Sequence, residues 1–218
     1  TMLSRVCKGV LVGGLAAASK ALSGRASAEK EGWFQPWGGP VKPMDVIDDG
    51  EIHAAFPIEV AEMTPAPNVP PRITRHHPVI LKVNLTTDTG MIQLTPKYKY
   101  EGWNYCGTIP GPFIRGRVGD IVDLTLTNLD KSGNPHNVDC HGFEGPGGGA
   151  AITLAQEGET RRARFQLLYP GLYVYHCAAA PVPVHVANGM YGLMYIQDTY
   201  DTLPLVDKEY YVMQSEFY

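Results

Sequence analysis

"LYVYHCAAAPVPVHVANGMYGLMYIQ", residues 172 to 197, joins two alternating apolar runs through a loop of alanine, proline, valine and glycine. The runs "LYVYHCA" (172–178) and "YGLMYIQ" (191–197) have the period of two and the aromatic and β-branched content of strands. Successive side chains of a strand point to opposite faces, so His176 and Cys177 look in opposite directions and cannot easily bind one ion. The loop after Cys177 nevertheless returns with His185 and Met190. Ligands are useful only when they converge, so one strand must serve two sites.

The same alternation is legible in "VILKVNL" (79–85), "MIQLTPKYKY" (91–100), "IVDLTLTNL" (121–129) and "RARFQLL" (162–168). Seven or so short strands, separated by turn clusters, predict an all-β chain with a Greek-key β-sandwich over residues 70–200. Gly 24 and Pro 18 in 218 residues support this, and helical periodicity is scarce. Residues 29–69 are dense in Pro and Gly without a sustained period and read as an extended arm or linker, with Trp33, Phe34 and Trp37 packed onto the domain.

Residues 1–28 read as an export signal. Met2, Arg5 and Lys8 precede the apolar run "GVLVGGLAAA", and "SGRASA" offers small residues for a cut. A run of ten cannot cross a bilayer as a helix, so no membrane span is expected and the destination is periplasmic or otherwise extracytoplasmic. The formal charge of -4 comes with no basic block to track phosphates, which argues against nucleic acid as a partner. The four cysteines (Cys7, Cys106, Cys140, Cys177) are far apart with no CxxC pair, so neither a zinc site nor a disulfide framework suggests itself.

Parity applied to "HNVDCH" (136–141) separates His136 from Asp139 and His141, provided the backbone there is extended. Two groups emerge: His136 with Cys177, and Asp139 with His141 and His176. The loop adds His185 and Met190 to the first. A thiolate, two imidazoles and a weak thioether form the ligand set of a blue-copper electron-transfer site. The second group, two imidazoles beside a carboxylate, suits a catalytic metal that keeps an open position. A third strong ligand must come from elsewhere, since His53, His76 and His77 lack a comparable strand context and the last two belong in an exposed loop. "GPGGGAA" (145–151) lacks the lysine and spacing of a phosphate cradle and reads as a tight turn allowing close backbone approach.

"PHNVDCHG", "GPGGGAA", "PGLYVYHCAAAPVPVHVANGMYG", "GTIPGPFIRGRVGD" and "VDKEYYVMQSEFY" resemble the copper-containing nitrite reductases, over about residues 57–218. The resemblance implies cupredoxin domains, two per subunit in a homotrimer. It implies reduction of nitrite to nitric oxide and water with one electron and two protons. His136, Cys177, His185 and Met190 would hold a type 1 copper, fed by a small redox protein such as a cupredoxin or cytochrome c. His141 and His176 would hold a type 2 copper that binds nitrite, with Asp139 relaying protons. Residues 201–218 would be a linker and the first strand of a second cupredoxin domain, which carries the remaining type 2 and catalytic histidines in that family. Cys140 replaces a bulky apolar residue and leans by parity towards His136; Cys106 replaces an aromatic one.

Two other classes compete. A single-copper cupredoxin electron carrier needs neither Asp139, His141 nor His176. A laccase-like oxidase needs a histidine on each side of the cysteine, and Ala178 follows Cys177 here.

Overall fold

Ile80–Gln93 form a 14-residue strand, β5, that belongs to both halves of one sheet. Its first half runs parallel to β8 (Ile121–Asn128), and from Thr87 onward it pairs antiparallel with β6 (Lys99–Tyr105). The stretch 91–100, a single strand by its alternation, is therefore the end of one strand, a turn and the start of another. Pro96 has no N–H to give a ladder, and the Thr95 hydroxyl accepts from the amides of Lys97 and Tyr98, which closes the turn. The sheet continues with β10 (Thr160–Gln166) on β8 and β3 (Ile58–Val60) on β5.

The second sheet has the order β4 (Met63–Thr64), β7 (Phe113–Arg117), β12 (Tyr191–Gln197), β11 (Gly171–His176), β9 (Asp139–Cys140). The computed structural model describes residues 56–200 and 203–217, with the backbone of the antiparallel pair β1 (Trp33–Phe34) and β2 (Pro40–Val41). The expected export signal lies outside the described residues, as do His53 and the side chains of the aromatic trio Trp33, Phe34 and Trp37.

The sandwich takes in β3 and β4, within the stretch that the sequence assigns to the arm. Those strands are three and two residues long, too short to show alternation. Between the sheets, Val83, Leu85, Val122, Leu124, Leu126, Phe165, Tyr175, Met194 and Ile196 form one continuous core. Each such side chain contributes on the order of 1.5–3 kcal/mol by leaving water. A smaller apolar cluster sits apart from it, where Phe113, Leu193 and Tyr211 meet Val69, Val174 and Tyr195. Residues 203–217 supply its Tyr211. Among the described residues that segment forms an isolated bridge, Asn68 with Tyr210, rather than the strand its sequence suggests.

Cys106 is disulfide-bonded, a pairing that the wide spacing of the cysteines does not suggest. No helix among the described residues is long and apolar enough to cross a membrane.

Candidate metal centres

β11 lies between β12 and β9, and it carries the two faces of the problem. Tyr175 is directed into the core, and Cys177, one residue past the strand end, follows the same parity and is fully buried. His176 points the other way, opposite Asp139 in the ladder with β9. The split read from alternation is thus the split of the molecule. His136, Cys177 and His185 bring their ligand atoms within 4.8 Å of one another, and so, separately, do Asp139, His141 and His176.

In the first cluster Cys177 Sγ lies 3.8 Å from His136 Nδ1 and 3.4 Å from His185 Nδ1, and the two imidazole nitrogens are 3.2 Å apart. All three residues are buried. His185 comes from a short helix, Val182–Ala187, inside the loop that the sequence leaves without structure. The helix ends on Asn188, whose side-chain amide donates to the Val184 carbonyl, and the chain then turns so that the Met190 amide donates to His185 O. The Cys177 amide donates in turn to Met190 O, which pins the fully buried Met190 beside both. His136 is placed by an isolated bridge with Ala155.

Burial pushes the His185 imidazole down to about 4, assisted by His136, and lowers His136 against the opposing pull of Asp130. Both rings are therefore neutral near neutral pH with lone pairs available. Burial raises the Cys177 thiol, opposed by backbone N–H donors of Ala179 and Asn137 that favour the thiolate. A soft sulfur and two neutral imidazoles at mutual distances that one ion spans fit copper.

The second cluster is more open. His141 is exposed, and its Nε2 stands 3.2 Å from His176 Nε2. His176 Nδ1 lies 3.1 Å from the Cys177 carbonyl, which can only accept, so this nitrogen carries the proton and Nε2 keeps its lone pair. Behind Asp139 runs the turn Pro146–Gly149, where Gly147, Gly148 and Gly149 all have positive φ. A Cβ on Gly148 would collide with Asp139 Oδ1 and the backbone of Cys140. The close approach expected of "GPGGGAA" is made to the carboxylate itself.

Cys140 joins neither cluster. Its thiol packs 3.9 Å from Met194 Sδ in the core, and burial pushes it up to about 12. His76 and His77 are exposed. Sequence reasoning passed over Asp130, whose Oδ2 lies 2.8 Å from His136 Nε2, and Trp103, whose ring centroid is 4.7 Å from that of His185 and 5.7 Å from that of His136. "LDKSGNPH" has no motif that marks the first, and the spacing of Trp103 marks it only as core.

The multicopper oxidase family matches residues 86–201. A copper-containing nitrite reductase of Neisseria meningitidis is 44% identical over 163 residues, covering 75% of this chain and 42% of the relative. One of Alcaligenes faecalis is 30% identical over 186 residues, covering 82% and 46%. The chain thus spans less than half the length of either. A multicopper oxidase crystal structure superposes with a TM-score of 0.55 at 22% identity, over 70% of this chain and 51% of that one, which supports the cupredoxin-like fold. A copper-containing nitrite reductase from Thermus scotoductus superposes with a TM-score of 0.50 at 26% identity, over 54% and 27%.

Proposed function

Because the chain belongs to the multicopper oxidase family, we propose that it is the nitrite-binding portion of a copper-containing nitrite reductase, which forms nitric oxide and water from nitrite, one electron and two protons. One observation carries the reading: two donor clusters lie on opposite faces of β11, joined through the His176–Cys177 peptide. His136, Cys177, His185 and Met190 would hold a type 1 copper, and His141 and His176 a type 2 copper. Copper, when bound, would supply a one-electron couple at the sulfur-containing cluster and a Lewis acid at the imidazole cluster.

The residues divide the work by environment. Burial of the first cluster keeps water from the thiolate and holds its ligands fixed, so an electron comes and goes with little rearrangement. The peptide between His176 and Cys177 joins the two clusters by covalent bonds and would be the path of an electron between metals held there. The exposed edge of His141 leaves room for an anion, and Asp139, closely backed by the glycine turn, stands where it can hydrogen-bond a nitrite oxygen and hand over one of the two protons with which that oxygen leaves as water, the other coming from solvent. A small redox protein, a cupredoxin or cytochrome c, would deliver the electron. A homotrimer with a second cupredoxin domain would complete the imidazole set.

In the full-length protein, Asp139→Asn is expected to lower nitrite turnover about 10²-fold or more while leaving the blue absorption unchanged. Turnover at the wild-type rate contradicts the role. The single-copper electron carrier is a second reading for this chain taken alone, because its first cluster gathers three buried donors beside the buried Met190, while the second has two imidazoles and a carboxylate with an exposed edge. Copper analysis separates them: one ion per chain for the carrier, two for the enzyme.

A further inference from the structure

The buried groups beside the clusters include one carboxylate that the mechanism above does not use. Asp130 and His136 are both fully buried, with Asp130 Oδ2 2.8 Å from His136 Nε2. The carboxylate is held from several sides. Ser132 donates to it twice, from its amide to Oδ1 and from its hydroxyl to Oδ2, both at 2.8 Å. The Asp130 amide donates to Asn128 Oδ1, and the buried Asn128 side chain donates in turn to the carbonyls of Asn134 and Ala155. Ala155 is also the bridge partner of His136, so the loop and the histidine share one frame.

Hydrogen-bond chemistry fixes what this contact does. An ionised carboxylate only accepts, so Nε2 must carry the ring proton and Nδ1 must keep its lone pair. Nδ1 is the atom that faces Cys177 and His185. The Trp103 ring stands edge-on to both imidazoles, 4.7 Å from that of His185 and 5.7 Å from that of His136, whereas the carboxylate contact is made to His136. The carboxylate also sets a full negative charge one imidazole away from the cluster, in surroundings where water screens it poorly.

We propose that Asp130 is a positioning residue for the sulfur-containing centre: it fixes the tautomer and orientation of His136, and its charge favours the oxidised state of the bound metal. This rests on the reading that copper occupies His136, Cys177 and His185. A hydrogen-bonded carboxylate makes the imidazole a stronger donor, which lowers the reduction potential.

Two measurements test it, and they fail separately from that reading. In the metal-free chain, long-range ¹H–¹⁵N spectra are expected to place the His136 proton on Nε2; a proton on Nδ1 overturns the proposal whether or not copper binds. In the copper-loaded chain, Asp130→Asn removes the charge and is expected to raise the reduction potential. Ser132→Ala removes a donor that competes for the same carboxylate oxygen, concentrates charge towards His136, and is expected to lower it. Shifts of opposite sign are not produced by loosened packing. Should Asp130→Asn not load copper, the sign for Ser132→Ala decides: a lower potential supports the proposal, and an unchanged or higher one overturns it. A wild-type chain that develops no blue absorption with copper overturns the copper reading, and the redox part of this proposal with it.

Discussion

At the scale of single residues, burial sets the chemistry of the first cluster. His185 is held neutral down to about pH 4, and His136 is lowered as well. In the unfolded chain histidines take up protons near pH 6.5. The folded metal-free chain binds fewer protons than the unfolded one between those values, so it loses stability as pH falls from about 6.5 towards 4. The urea midpoint of the metal-free protein should therefore drop between pH 7 and pH 5; an unchanged midpoint contradicts the assignment. Cys177, His185 and Met190 were legible as a group because soft sulfur and imidazole recur there at short spacing, and alternation joined the distant His136 to them. Asp130 was not, because its role depends on a loop geometry that brings the carboxylate of position 130 to Nε2 of position 136.

Among the elements, β11 and β12 were the most legible. The alternation in 191–197 has the same bounds as β12, and that in 172–178 is displaced from β11 by only one residue at its start and two at its end. The helix Val182–Ala187 was not legible, since six residues with Pro183 and three valines have poor helix propensity and form a helix here through tertiary context. Nor was the hairpin of β5 and β6, whose alternation runs through the turn at Pro96. The glycine turn Pro146–Gly149 was read as a close approach, but which residue it approaches required the fold. Gly148 has φ +49 and abuts Asp139 and Cys140, so Gly148→Ala combines backbone strain of about 1–2 kcal/mol with displacement of the carboxylate. Nitrite turnover in the full-length variant should fall while the blue absorption stays at wild-type strength. Loss of both together would place the turn's role in general stability instead.

At the scale of the whole molecule, a β-sheet solves the problem posed by adjacent ligands. One strand offers alternate side chains to two environments: a dry interior packed with sulfur and neutral imidazole, and an outer face where a carboxylate and two imidazoles stay within reach of solvent. Period-two alternation carries that division in the sequence itself, which is why both clusters could be sorted before the fold was known. The arm and sandwich boundary could not, because β3 and β4 are too short to alternate.

The division is tested most directly by the thiolate absorption band of the copper-loaded chain in two variants of neighbouring residues. His176→Ala should keep the band at wild-type intensity and Cys177→Ser should abolish it. If His176→Ala abolishes the band as well, His176 and Cys177 serve one ion, and the two-sided account of β11 is wrong.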